Sequence, residues 1–340
     1  MQRQKQASLY ICAKDKKGER MIISVILIIL GFALLIKGAE YLVDGSSNIA
    51  KKFHIPEIII GLTIVSIGTS MPELFVSVTS ALEGHSDMAM GNVIGSNVCN
   101  LLLILGLSST IKSVKFQRET RLIEIPMCLA ITIIFIIFCN TGAGISRPEA
   151  IALLVLFGIF ISYTIFMGIK GEKFDSKDGV EEEEFEERKN TSIIKNIIFV
   201  ILGIIGLKFG GDLTVDNAVI VAQYFNLSEK IISLTILAIG TSLPELVTSV
   251  TAAIKGNSDI AIGNIIGSNI FNMLLIIGVS SVIKPITYNV GYNIELVILV
   301  IATIVLSLFP IIPPKNEMSR FNGIIYLIMY AIYMVILFNV

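Results

Sequence analysis

The chain has 340 residues, 54% of them hydrophobic and 16% charged, with a formal net charge of −1. That is too apolar for a soluble chain folding around one core and places it in a bilayer; the net charge hides an uneven placement of charge and by itself says nothing about partners, and no nucleic-acid partner is expected. Four scattered cysteines and two isolated histidines, His54 and His85, speak against a disulfide framework and a transition-metal site.

Residues 1–20 are polar and basic and lack the apolar core and cleavage site of a secretory signal, so they are expected to be an unstructured leader outside the fold. From Met21 onward, long apolar runs recur, separated by charges and by glycine or proline. A membrane-spanning helix needs about 20 such residues. The breaks predict ten helices, at 21–44, 57–82, 87–111, 121–140, 148–170, 194–217, 230–254, 259–283, 290–312 and 321–340. Residues 171–193 hold a long acidic stretch that lacks the spaced ligands and turn glycine of a calcium-binding EF-hand loop, and it is expected to be a solvated linker.

Sliding the chain against itself by 172 positions matches residues 62–109 to residues 234–281 at 31 of 48 positions without a gap. The register reaches upstream, where Gly31, Gly38 and Asp44 align with Gly203, Gly210 and Asp216. The predicted fold class is therefore all-α integral membrane, with a first repeat at 21–170 and a second at 194–340. Five helices per repeat is an odd number, so the second repeat enters from the opposite side, as in the inverted-topology repeats of secondary transporters. Fifteen Lys and Arg residues fall in the loops of one face and three, Arg147, Lys230 and Lys284, in those of the other. The excess predicts a cytoplasmic central loop and both ends of the helical domain outside, in a multi-pass protein of the cell membrane.

Glu73 and Glu245 stand in the middle of the second and seventh predicted helices, at equivalent positions of GTSMPE and GTSLPE. A carboxylate there costs at least about 2.5 kcal/mol unless it is compensated, and a duplicated one points to function. Pro72 and Pro244 remove an amide hydrogen from each helix and release the carbonyls of Gly68 and Gly240, while Thr69, Ser70, Thr241 and Ser242 supply hydroxyls one turn from each glutamate. All are hard oxygen ligands, suited to calcium and sodium rather than zinc or copper. In the third and eighth helices GNVIGSNVCN and GNIIGSNIFN align Asn92, Ser96 and Asn100, and Asn264, Ser268 and Asn272, at spacing four on one helix face. The glycine pairs Gly91/Gly95 and Gly263/Gly267 let that face approach the broken helix closely. Two negative charges among neutral oxygens are neutralised by one divalent ion or by two monovalent ions, and such competition is what coupled transport requires. No nucleotide-binding signature is present, so the chain is expected not to be an enzyme driven by ATP. Asp87 and Asp259 are expected to cap their helices.

The paired motifs resemble the alpha repeats of the calcium/cation antiporter superfamily, in its prokaryotic sodium/calcium exchanger branch, over essentially residues 21–340. The resemblance implies that cations are held by Thr69, Ser70, Glu73, Ser96 and Asn100 with Thr241, Ser242, Glu245, Ser268 and Asn272, completed by the carbonyls of Ser66 and Ala238. It also implies that the first and sixth helices slide as a gate, and that transport is electrogenic, several sodium ions entering as one calcium leaves. Calcium and sodium are then cargo; no cofactor and no obligatory protein partner is expected. Proton-coupled relatives carry GNxxE at the binding glutamate, which this chain lacks, so sodium is favoured; proton-driven antiport of calcium or another divalent cation is the alternative. An amide at Asn272, where potassium-dependent relatives carry Asp, argues against potassium co-transport.

Overall fold

The computed structural model describes residues 2–170, 192–225, 238–311 and 315–339. The acidic stretch at 171–191 and the first part of the seventh predicted helix lie outside the described residues. Twelve helical segments follow in order: α1 (Gln2–Lys52), α2 (Glu57–Thr69), α3 (Met71–Glu83), α4 (Ser86–Ile111), α5 (Thr120–Asn140), α6 (Arg147–Lys170), α7 (Ile193–Tyr224), α8 (Ala238–Thr241), α9 (Leu243–Lys255), α10 (Ser258–Ile283), α11 (Val290–Leu308) and α12 (Arg320–Asn339). Among the described residues, eight helices are long and apolar enough to cross a membrane, and the pair α2–α3, bent by 50°, makes a ninth span.

Three expectations are corrected. The leader at 2–19 is helical and continuous with the first span. Its Gln, Lys, Ala, Glu and Arg residues favour helix, and extending a helix already nucleated costs far less than starting one. The first helix ends at Lys52 rather than 44, and the sixth at Tyr224 rather than 217. The polar residues that suggested early ends have partners across helices: Asp44 pairs with Lys255 at 2.6 Å, Ser47 donates to Glu57, and Asn48 donates to Asn196 at 3.5 Å. Asp87 and Asp259 sit inside their first turns, while His85 and Asn257 hold the cap positions without a side-chain hydrogen bond. There the two carboxylates complement the helix dipole instead.

Repeat-equivalent helices α1 and α7 pack along a glycine seam. A Cβ on Gly31 would meet the Gly210 carbonyl at 2.9 Å, one on Gly38 the Gly203 carbonyl at 2.9 Å, and one on Gly45 the Asn196 carbonyl at 2.8 Å. As residue numbers rise on α1 they fall on α7, so the two helices run antiparallel. Both expose large apolar side chains, among them Ile22, Ile29, Leu30, Ile201 and Phe209, as do α5, α6, α11 and α12. These are the surfaces that face lipid. The centre belongs to α4 and α10, whose apolar windows are 72% and 94% buried.

Two short antiparallel sheets tie the halves together. β1 (Val114–Lys115) pairs with β4 (Glu317–Met318), and β2 (Gly144–Ile145) with β3 (Ile286–Thr287). Each joins a loop of one repeat to a loop of the other. Gly84 and Gly256, at φ +90° and +88°, end α3 and α9 in the left-handed conformation that glycine adopts without a Cβ penalty. Lys112 reaches across to donate to the Ile254 carbonyl at 3.3 Å, adding a cation where α9 ends.

Candidate cation site

The helix break falls at Ser70 (φ −84°, ψ 9°) and at its counterpart Ser242 (φ −90°, ψ 8°), each followed by a proline near the start of the next segment. Having no N–H, Pro72 and Pro244 cannot continue the hydrogen-bond ladder, and the chain redirects there. Glu73 and Glu245 follow in the first turns of α3 and α9, each only 1% exposed. The breaks of the two halves meet in the middle of the protein against α4 and α10.

Hydroxyls from each half serve the carboxylate of the other. Ser70 Oγ donates to Glu245 Oε1 at 2.8 Å and lies 2.9 Å from Ser268 Oγ. Ser242 Oγ donates to Glu73 Oε1 at 3.3 Å and lies 3.2 Å from Ser96 Oγ. Thr69 Oγ1 lies 3.0 Å from Asn264 Oδ1 and Thr241 Oγ1 3.4 Å from Asn92 Oδ1. The structure thus brings together Thr69, Ser70, Glu73, Ser96, Thr241, Ser242, Glu245 and Ser268, as the spacing suggested. Asn100 and Asn272 follow one helical turn after Ser96 and Ser268, at 1% exposure, and each lies at a local π-helical widening, Cys99–Ile104 and Asn272–Ile276. Such widenings are frequent at functional sites.

Asn92 and Asn264, grouped with these by spacing, have a different task. Asn92 Nδ2 donates to Ser77 Oγ at 2.9 Å and to the Glu73 carbonyl at 3.3 Å, and Asn264 repeats this with Ser249 at 2.9 Å and Glu245 at 3.5 Å. They clamp α4 to α3 and α10 to α9. Of the two predicted carbonyls, that of Ser66 accepts from the Ser70 amide at 3.0 Å and from Thr69 Oγ1 at 3.3 Å, so a cation can use it only when the Thr69 hydroxyl turns away. Ala238 opens α8, where the Ser242 amide turns to the Ile239 carbonyl at 3.1 Å.

Four buried oxygens of the candidate residues have no hydrogen-bond partner: Glu73 Oε2, Glu245 Oε2, Asn100 Oδ1 and Asn272 Oδ1. Leaving a buried acceptor unsatisfied is costly, more so for a carboxylate. Among the described residues no three His, Cys, Asp or Glu side chains gather in one place, this site included; its acids are the two glutamates.

A model of the family described as sodium/calcium exchanger protein matches residues 23–166 and again residues 195–339. The chain belongs to the sodium/calcium exchanger family. This is a family of membrane transporters, not of enzymes, and its members carry out cation antiport; the model matches once on each side of the central acidic stretch. The sodium/calcium exchanger MaX1 of Methanosarcina acetivorans is 29% identical over 94% of the chain and 99% of its own length. The putative antiporter CaxA of Alkalimonas amylolytica is 35% identical over 94% of the chain and all of its own. Among solved structures, the sodium-calcium exchanger NCX_Mj, soaked with 2.5 mM Na+ and 0.1 mM Ca2+, superposes with a TM-score of 0.79 at 31% identity, covering 92% of this chain and 98% of that one.

The sequence did not single out Asn97 and Asn269, which lie beside the site at 1% and 0% exposure. One residue past Ser96 and Ser268, they sit about 100° around the helix from the spacing-four face and face the opposite repeat.

Proposed function

We propose that the chain exchanges sodium for calcium across the cell membrane by alternating access, and that the four unpartnered oxygens of Glu73, Glu245, Asn100 and Asn272 are the heart of its cation site. That observation carries the reading: two carboxylate and two amide oxygens at repeat-equivalent positions, buried and without a hydrogen-bond partner, form an acceptor set that a cation completes. The hydroxyls of Thr69, Ser70, Ser96, Thr241, Ser242 and Ser268 and the carbonyls of Ser66 and Ala238 supply the remaining ligands. Two negative charges match one calcium ion or two sodium ions, further sodium ions occupying neutral oxygens nearby, and exchange of several sodium ions for one calcium moves net charge.

The architecture we infer is ten spans in two inverted five-helix repeats, with α8 and α9 forming the inner part of the seventh. Antiparallel packing of the equivalent helices α1 and α7 supports the inversion. The loop pairings support the sidedness: β1 with β4 joins two loops assigned to the cytoplasmic face by their basic residues, and β2 with β3 joins two assigned outside. The central linker is then cytoplasmic and both ends of the helical domain are outside. α1 and α7, lying across the two helix breaks, are the moving gate.

Calcium uptake into sodium-loaded proteoliposomes, with and without an outward sodium gradient and with a proton gradient in a parallel sample, tests the coupling. We expect uptake that follows the sodium gradient and is accelerated by a potential, negative outside, that draws sodium out. Uptake driven by protons alone would reassign the coupling ion to the proton, and uptake without any opposing gradient would make the protein a channel.

A further inference from the structure

Asn97 and Asn269 are two buried polar groups next to the site that the proposed ligand set leaves unused. Asn97 Nδ2 donates to the backbone carbonyl of Asn269 at 3.3 Å, and Asn269 Nδ2 donates to that of Asn97 at 3.3 Å. Asn272 Nδ2 donates to Asn97 Oδ1 at 2.9 Å, and Asn100 Nδ2 to Asn269 Oδ1 at 3.0 Å. These four bonds knit α4 to α10.

The oxygen and nitrogen ends of an asparagine side chain are interchangeable in shape, so its orientation is fixed only by its partners. Here the chain of partners starts from groups that cannot reverse. A backbone carbonyl accepts and never donates, so the Asn97 end facing the Asn269 carbonyl must be the NH2 group. Its Oδ1 is thereby turned toward Asn272, which must answer with its own NH2, and the Oδ1 of Asn272 is left to point away. The same steps, with the halves exchanged, run from the Asn97 carbonyl through Asn269 to Asn100. The oxygens left over are Asn272 Oδ1 and Asn100 Oδ1, the two amide acceptors without a partner.

We propose that Asn97 and Asn269 are positioning residues that hold the carbonyl oxygens of Asn272 and Asn100, crosswise between the repeats, toward the bound cations. The inference rests on the reading that those oxygens face cations. Without its partner, Asn272 or Asn100 can rotate and offer the cation an NH2 group, which repels it. Calcium feels this most, since its interaction with an oxygen dipole scales with its double charge.

The test is a set of double-mutant cycles. Asn97→Ser and Asn269→Ser, which remove the acceptor but leave a small polar side chain, are each combined with Asn272→Ala and with Asn100→Ala. The readouts are the calcium KM of exchange in proteoliposomes and the calcium-induced rise in melting temperature in detergent. Asn97→Ser should raise the calcium KM about tenfold alone and in the Asn100→Ala protein, and add little in the Asn272→Ala protein. Asn269→Ser should show the reverse dependence. Asn97→Gln, which keeps both the donor and the acceptor one methylene further out, should recover part of the loss. Equal effects in every background would overturn the inference, because a residue that merely packs α4 on α10 is indifferent to which ligand is present. Should a Ser variant fail to assemble, the same cycles made with Asn97→Gln decide: an effect on the calcium-induced thermal shift that is as large in the Asn272→Ala protein as in the Asn100→Ala protein overturns the proposal. Glu73→Gln and Glu245→Gln serve as the control. If they retain exchange, the reading of the site fails; if they abolish it while the cycles are additive, only the positioning role fails.

Discussion

Replacing Gly38 by Ala adds a single methyl group in the seam between α1 and α7. That carbon would lie 2.8 Å from the Leu207 amide nitrogen, 2.9 Å from the Gly203 carbonyl oxygen and 3.0 Å from the Gly206 carbonyl carbon. All three are backbone, so no side chain can rotate aside. Restoring ordinary contact parts the helices by roughly 0.5–1 Å, a gap that forfeits a quarter to a half of the dispersion energy of the atom pairs it opens. Between membrane helices dispersion and close approach are most of what holds the pair, so the expected loss is about 1–3 kcal/mol. Gly206→Ala is milder, its nearest neighbour being the Gly38 Cα at 3.2 Å, and Gly158→Ala on α6 meets nothing within 4 Å. At Gly158 the methyl group instead improves helix propensity by up to about 1 kcal/mol. Thermal unfolding in detergent should therefore rank Gly38→Ala below Gly206→Ala, and Gly206→Ala below Gly158→Ala. A Gly38→Ala protein that melts with or above Gly158→Ala would refute the tight seam.

Glu73→Gln and Glu245→Gln should each weaken calcium binding at least a hundredfold, since removing one partner of a buried charge interaction costs about 3–5 kcal/mol; titration calorimetry should also show calcium losing more affinity than sodium, which carries half the charge. Ser70→Ala should weaken calcium binding more than Ser242→Ala, because Ser70 holds Glu245 at 2.8 Å whereas Ser242 stands 3.3 Å from Glu73; equal losses in equilibrium binding would contradict the difference. Lys255→Ala should change turnover only a few-fold, its ion pair with Asp44 being partly exposed and worth about 0.2–1 kcal/mol. Cross-linking Asp44→Cys to Lys255→Cys, with Cys12 replaced, should stop exchange reversibly by pinning α1 to α9; Cys99, Cys128 and Cys139 are buried and do not compete.

The repeat, the helix breaks and the paired glutamates were legible in the sequence because each leaves a local mark: a fixed offset, a proline after a hydroxyl pair, an acid in an apolar run. What was not legible depends on which helix lies opposite. Asp44, Ser47 and Asn48 read as the polar end of a span, yet they lie within α1 and meet Lys255, Glu57 and Asn196. Asn92 shares a face with Ser96 and Asn100, and only the position of α3 reveals that its amide is spent on Ser77 and Glu73. Asn97 carries no periodic signal, because its significance comes from a backbone carbonyl of the other repeat. The π-helical widenings at Cys99 and Asn272 lie in ordinary apolar sequence and have no composition of their own.

A homodimer built from two copies of one half would have to present the same chemistry to both sides of the bilayer. Joined in one chain, the halves need not agree away from the centre, and they do not: Glu83 and Lys255 occupy equivalent helix ends, although the aspartates at the equivalent positions 44 and 216, within α1 and α7, are the same. At one face Asp44 meets a cation, Lys255, while at the other the counterpart of that lysine is an acid. The side-chain ligands of the proposed ion site are matched residue for residue across the same divide, Thr69, Ser70, Glu73, Ser96 and Asn100 with Thr241, Ser242, Glu245, Ser268 and Asn272. Fusion thus permits a symmetric lock with unequal doors, in which the resting preference for one side can be tuned by rim charges without altering which ions fit.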